Sequence, residues 1–130
     1  MNRRSVIMGL PAALFAASQA RATSPARLGL IFVAQGTCPY CAAIAPVLAQ
    51  LQRETGIDVL VASLDRRPVS PFGGFEDGTR HPLTAHYRSV PHVLVFNGRQ
   101  NRITHEVSGL RTMRDFVGRL STALRQSAAL

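Results

Sequence analysis

The sequence has only two cysteines, no lysine and no apolar run long enough to cross a bilayer, and each shortage narrows the class of protein. Two thiolates cannot complete a zinc site without two further ligands. The 15 basic residues, all arginine, are scattered and accompany no recognition motif, so we expect no nucleic-acid partner. The stretch Val6–Ala17 is short against the roughly 20 apolar residues of a membrane-spanning helix, which argues against a permanent anchor.

Residues 1–22 have the three parts of an export signal peptide. A charged start at Asn2–Arg4 is followed by the apolar stretch Val6–Ala17 and by the small-x-small cleavage pattern Ala20–Ala22. We therefore predict cleavage near Ala22 and a periplasmic protein whose mature chain is residues 23–130. The adjacent arginines also permit twin-arginine export of a folded protein, so the export route stays open.

The mature chain is predicted to be one domain with a modest positive charge. Without residues 1–22, 108 of the 130 residues remain, enough for one compact domain and too few for two. Three arginines leave with the signal peptide, so 12 arginines face seven acidic residues and the net charge is +5. Such an excess is compatible with a solvated surface and does not decide function. We expect a monomer, because this length leaves no room for an added dimerisation domain.

Cys38 and Cys41 stand two residues apart, after an apolar run and before a helical pattern. A thiolate at the first turn of a helix is stabilised by unpaired backbone N–H groups and by the helix dipole, so Cys38 is the predicted nucleophile. Residues three apart lie on one helix face, which places Cys41 where it can attack a mixed disulfide at Cys38. The pattern predicts a dithiol redox site that needs no metal and no other cofactor.

The hydrophobic patterns predict an α/β fold with a central mixed sheet flanked by helices, in the order βαβ and then αββα. Proline and glycine mark the starts and ends of several elements, and the proline- and glycine-rich stretch 66–81 is predicted to be a loop. In order, the predicted elements are strand Leu28–Ala34, a helix from Pro39 to Gly56, strand Ile57–Asp65, the loop, a short helix Pro82–Tyr87, strands His92–Asn97 and Arg102–Val107, and a final helix after Gly109 that is capped by Thr112 and Asp115.

Over roughly residues 26 to 125 the chain resembles the thioredoxin superfamily. The resemblance is carried by Cys38-Pro39-Tyr40-Cys41, by Pro46, by Val90-Pro91 before a strand, and by Gly109 before the last helix. It implies a thioredoxin-like fold in which Cys38 and Cys41 are catalytic. It also implies that Pro91 follows a cis peptide bond near the dithiol. Substrate is then expected to dock as an added strand on Val90 and Pro91, with Pro39 and Tyr40 shaping access to the sulfurs.

Within the superfamily, the chain is most similar to exported thiol-disulfide isomerases of the conjugative-transfer, pilin-assembly type. The similarity lies in Thr37–Cys41, in Ala45–Leu48, and in Ser63–Asp65 followed by an insert with proline and phenylalanine. The expected partners are protein thiol or disulfide substrates and a redox protein that recycles the dithiol. Phe32 stands where ordinary thioredoxins carry a buried aspartate, which favours an oxidant or isomerase over a reductase.

Other interpretations of the cysteine pair stay open at this point. The same scaffold can serve as a non-enzymatic docking or chaperone module of a secretion apparatus, or as a reductase in cytochrome maturation. His81 and His86 offer a way to complete a zinc site, although their distance in sequence from Cys41 is longer than in small zinc modules. A purely structural disulfide is the fourth reading, but so small a loop removes little chain entropy from the unfolded state.

Two further features have open readings. His92 follows Pro91 and is a candidate to stabilise a thiolate when it is protonated. Phe72 and Phe75 lie among glycines in the loop 66–81, where they either tuck under the loop or form a surface for a partner.

Overall fold

The computed structural model describes residues 27–130, so the predicted signal peptide lies outside the described residues. The described chain has five strands and two helices. They are β1 (Leu28–Ala34), α1 (Pro39–Thr55), β2 (Asp58–Ser63), β3 (Glu76–Asp77), β4 (His92–Asn97), β5 (Arg102–Ser108) and α2 (Met113–Ala128). Among these residues, no helix combines the length and the apolar character needed to cross a membrane.

β1 is the central strand of a five-stranded mixed sheet with the order β3-β2-β1-β4-β5. Its sequence is almost entirely apolar, as expected for a strand covered on both faces. β1 pairs with β2 in parallel and with β4 antiparallel, so that Ala34 lies beside Ser63 and Val33 lies beside His92. The end of β1, the end of β2 and the start of β4 therefore meet at one edge of the sheet.

Both helices pack on the same face of this sheet. Side chains alternate along a strand, so Leu30 and Phe32 face the helices while Ile31 and Val33 face the other way. The core under the helices includes Ile44 and Leu48 of α1 and Phe116 and Leu120 of α2. On the opposite face, a second buried cluster, packed against Tyr87 and Val90, consists of Ile31, Val33, Ala62 and Leu94.

The predicted helix boundaries are confirmed, and the caps explain them. α1 ends where Gly56 adopts a left-handed φ of 76° and donates its N–H to Gln52 O over 2.8 Å. α2 begins after Thr112, whose hydroxyl accepts a 3.0 Å hydrogen bond from the Asp115 N–H. Pro39 occupies the first turn of α1, where its missing N–H costs no helical hydrogen bond.

The predicted short helix Pro82–Tyr87 is wrong, since this stretch is a run of turns. Its hydrogen bonds do not repeat with helical spacing: the N–H groups of Thr84 and Ala85 both donate to His81 O. Side chains replace the missing helical bonds, because His81 Nδ1 accepts from the Leu83 N–H and the buried Thr84 hydroxyl donates to Gly78 O over 2.7 Å. The predicted loop 66–81 is confirmed except for the two-residue strand β3, and the Ser70–Pro71 peptide bond within it is cis.

Candidate active site

The two cysteines lie where β1 turns into α1. We call residues 35–38 the redox turn. Cys38 is the N-cap of α1 in an extended conformation, and its N–H donates to Gln35 O over 3.2 Å. The Cys41 N–H lies in the first turn, where N–H groups lack a helical acceptor, and donates to Cys38 Sγ over 3.4 Å. The sequence motif therefore puts one sulfur at the positive end of the helix and the other one turn further along.

The two thiols differ in their access to solvent. Cys38 is partly exposed, whereas Cys41 is fully buried in the core with Phe32 and Ala34. Burial is the main cause that raises the pKa of Cys41 to about 12; a hydrogen bond with the Gln35 main chain opposes it, and the nearby Cys38 and Asp65 add to the rise. Cys41 is thus a protonated thiol at neutral pH, and Cys38 is the sulfur that an external disulfide can reach.

Asp65 holds the redox turn from the end of β2. One carboxylate oxygen accepts from the Gly36 N–H over 3.0 Å, and the other accepts from the Thr37 N–H over 3.3 Å and from the Thr37 hydroxyl over 3.2 Å. The Ser63 hydroxyl and the Arg67 N–H also donate to Asp65. Sequence reasoning used Asp65 only as part of the resemblance and missed this role, because the two contacting segments are nearly thirty residues apart.

Gly36 is needed in this turn because the chain after Asp65 comes very close. A Cβ at this position would lie 2.6 Å from the Arg67 Cβ and 2.7 Å from the Pro68 carbonyl oxygen. Both neighbours are main chain or attached directly to it, so they cannot move aside as a flexible side chain would. The redox turn is therefore fixed on one side by hydrogen bonds and on the other by close packing.

We expect Asp65→Ala to lower the free energy of unfolding by about 2 kcal/mol at pH 7, as for loss of a charged hydrogen-bond acceptor. Partial burial acts to raise the pKa of Asp65, but the bonds from Gly36, Ser63 and Thr37 outweigh it and the pKa is lowered. The stabilisation is then present at neutral pH and is lost as pH falls through the pKa of the folded state. Urea unfolding should show the gap to wild type narrowing from pH 7 towards pH 3. The exposed Asp58 offers the control, since Asp58→Ala should leave stability nearly unchanged at both values.

Phe32 occupies the position at which ordinary thioredoxins carry a buried aspartate. It is fully buried in the same core as Cys41 and supplies no acidic group there. Asp65 is close enough to affect the pKa of Cys41, but its oxygens already accept hydrogen bonds from the redox turn, from Ser63 and from Arg67. It serves as an anchor rather than as a free base.

The predicted substrate-binding residues lie on both sides of the redox turn. Tyr40 is 59% exposed on the first turn of α1, beside the exposed Pro39. The Val90–Pro91 peptide bond is cis, Pro91 is buried, and Val90 and Cys38 pack against the same core. Because β4 starts beside the end of β1, the cysteines and Pro91 leave neighbouring strands at the same edge of the sheet. We call Val90–Pro91, where the sequence predicts that substrate docks, the docking segment.

Among the described residues, no histidine makes a hydrogen bond to either sulfur. Both ring nitrogens of His92 contact other groups, namely Ser89, Glu106 and Ser108. Neither nitrogen is hydrogen-bonded to a cysteine sulfur, so no direct contact supports the predicted stabilisation of a thiolate. His86 stacks on Tyr87 with 4.3 Å between ring centroids. Within residues 27–130, no group of three or more histidine, cysteine or acidic side chains is arranged to hold a metal ion.

Residues 17–120 match the protein family described as F plasmid transfer operon protein, TraF. The chain belongs to the TraF family. This match covers the redox turn, the docking segment and the first half of α2. A search of curated protein sequences finds no significant match.

Solved structures similar to this TraF-family chain confirm the thioredoxin-like fold. Spinach chloroplast thioredoxin f, in its long form, matches with a TM-score of 0.56 at 18% identity, over 80% of this chain and 73% of that chain. A thio-disulfide isomerase from Thermus thermophilus matches with a TM-score of 0.53 at 19% identity, over 76% and 78% of the two chains. The periplasmic thioredoxin SoxS from Paracoccus pantotrophus matches with a TM-score of 0.51 at 20% identity, over 77% and 98%. The predicted α/β fold with a mixed sheet is confirmed.

Proposed function

We propose that the protein is a thiol-disulfide oxidoreductase that works on protein substrates through Cys38 and Cys41. The observation that carries this proposal is the pairing of a solvent-accessible sulfur at a helix N-terminus with a buried sulfur one turn later, linked by the 3.4 Å contact from the Cys41 N–H to Cys38 Sγ. Such a pair has one thiol for attack and a second that is protected until a mixed disulfide forms.

The exchange runs in two balanced steps. The Cys38 thiolate attacks one sulfur of a substrate disulfide, a new S–S bond forms, and the departing substrate thiolate takes up a proton. Cys41 then loses its proton and attacks Cys38 Sγ, which releases the second substrate thiol and leaves the Cys38–Cys41 disulfide. In the opposite direction, the oxidised pair takes two electrons from a substrate dithiol. Phe32 in place of an acidic side chain supports the oxidase or isomerase direction over the reductase direction.

We place this activity in the periplasm, in the assembly of a conjugative-transfer or secretion apparatus. Two observations support the placement: the signal-peptide pattern of residues 1–22 and membership of a family named for the F plasmid transfer operon. A periplasmic thioredoxin among the similar structures is in keeping with export. The docking segment and Tyr40 would bind the substrate chain, and a separate redox protein would recycle the dithiol.

Trapping of mixed disulfides tests this proposal in the organism that encodes the protein. A Cys41→Ser variant cannot complete the second step, so it should accumulate covalent adducts with its protein clients, visible as higher bands on non-reducing gels that collapse with dithiothreitol. Fractionation should find the mature protein and its adducts in the periplasm.

The double variant Cys38→Ser, Cys41→Ser is the matched control and distinguishes the docking interpretation. It should form no adducts and should fail to restore assembly of the apparatus. Full restoration by the double variant would contradict redox function and favour a docking module on the same scaffold.

A further inference from the structure

The residues around the docking segment form a polar cluster on the sheet face opposite the two helices. His92 and Leu94 project from the same side of β4, and Leu94 belongs to the buried cluster of that opposite face. Val93 projects the other way and packs in the core with Cys41. The polar cluster consists of Tyr87, Ser89, His92, Glu106 and Ser108. None of its hydrogen bonds involves a sulfur, and the redox chemistry described above does not use it.

The His92 ring is the centre of the polar cluster. Nε2 lies 3.0 Å from Ser89 Oγ, and Nδ1 lies 3.1 Å from Glu106 Oε2 and 2.8 Å from Ser108 Oγ. The Tyr87 hydroxyl donates to Glu106 Oε1 over 2.6 Å, and the Tyr87 and His92 rings lie 4.5 Å apart between centroids. Burial and the neighbouring Glu106 raise the pKa of Tyr87, so this hydroxyl stays a donor. The His92 ring thus connects Ser89, which precedes Pro91, to Glu106 and Ser108 on β5.

Main-chain hydrogen bonds do little to hold this segment. The turns that follow His81 end with the bond from the Tyr87 N–H to Thr84 O, and the next main-chain anchor is the 3.0 Å bond from the Gly109 N–H to Pro91 O. Between these two anchors, within the part of the chain that the structure describes, no loop bond between main-chain groups involves residues 88–90. The main-chain groups of Val90 are therefore available to a docking chain, and side chains must set their direction.

We propose that the polar cluster is a positioning device for protein substrates, in which His92 holds Ser89 and so fixes the main chain of Val90 for pairing with a substrate strand. The inference rests on the proposed function, since it concerns how that site recognises a polypeptide. His92 is a positioning residue, because it lies one residue beyond Pro91 and touches neither sulfur. Ser89 and His92 bracket the docking segment and are joined directly to each other.

The expected effect is on binding and not on chemistry. When His92 no longer holds Ser89, the backbone from Ser89 to Val90 must be ordered by the substrate itself, and this ordering weakens binding. We expect His92→Ala to raise KM for a peptide disulfide by about tenfold, since ordering one residue costs that order of affinity. The reaction with 2-hydroxyethyl disulfide, which has no peptide backbone, and the reduction potential of the dithiol should stay at wild-type values.

Three variants of the full mature protein make this test specific. Ser89→Ala removes the other half of the contact at an exposed position and should reproduce the rise in KM with little effect on folding. His92→Gln places an amide near the position of Nε2 and should restore part of the binding. His105→Ala is the matched control, because His105 lies on β5 and contacts Thr104 rather than the docking segment.

The possible outcomes show separately whether the inference fails or the proposed function fails. A wild-type KM in both His92→Ala and Ser89→Ala overturns the inference while the proposed function stands. Equal losses with the peptide and with 2-hydroxyethyl disulfide, together with a changed reduction potential, also overturn it, because His92 would then act on the sulfurs. A wild-type protein that exchanges with neither disulfide overturns the proposed function itself.

Discussion

Cys38→Ser is expected to abolish catalysed exchange. Cys38 supplies the sulfur that attacks the substrate disulfide, so without it insulin reduction and repair of scrambled ribonuclease should fall to the uncatalysed rates. The reason is geometric: Cys41 is fully buried in the core and cannot take over the attack on an external disulfide. Serine keeps the size and the cap position of Cys38, so circular dichroism should show a folded protein.

The partner variant separates loss of chemistry from loss of structure. Cys41→Ser retains the exposed sulfur and should still form a mixed disulfide with a substrate, although it cannot resolve it. If Cys38→Ser kept even a tenth of the wild-type rate, the assignment of Cys38 as nucleophile would be wrong.

Phe116→Ala is expected to produce the largest loss of stability, about 3–5 kcal/mol. Phe116 is fully buried on α2 and packs in the same core as Phe32 and Cys41. Its removal leaves a cavity between α2 and the central strand that rigid neighbours fill only in part. The loss is a large share of the about 5–15 kcal/mol that stabilises a typical domain.

Urea unfolding followed by far-ultraviolet circular dichroism measures this loss, since the chain has no tryptophan to report it by fluorescence. Val117, the next residue on α2, is 40% exposed and provides the control. Val117→Ala should change the free energy of unfolding by well under 1 kcal/mol, as is usual for surface positions. Similar losses in the two variants would mean that α2 does not cover the sheet as described.

Local patterns were a sound guide wherever one segment decides its own structure. The apolar run of β1, the glycine that ends α1 and the cap at Thr112 act within a few residues of the chain, and the structure has all three as predicted. The cysteine pair belongs to the same class, because helical spacing alone sets the relation of Cys38 to Cys41.

The failures occur where contacts distant in sequence override local preference. Pro82–Tyr87 has a helix-start signal, but the buried Thr84 hydroxyl bonds to Gly78 O and the chain forms turns to satisfy it. Glu76–Asp77 has weak strand propensity and forms β3 only because it pairs with the free side of β2. Neither contact can be predicted from the residues of Pro82–Tyr87 or Glu76–Asp77 alone.

The proposed chemistry was predictable from sequence, because two thiols at helical spacing after a buried strand indicate a dithiol in which the first thiol attacks. The surroundings of that dithiol depend on long-range packing. Asp65 accepts hydrogen bonds from the redox turn, and His92 is hydrogen-bonded to Ser89 before Pro91. Both contacts arise because the ends of β1 and β2 and the start of β4 meet at one edge of the sheet. Sheet pairing brings together residues far apart in sequence, and no local pattern records which of them will meet.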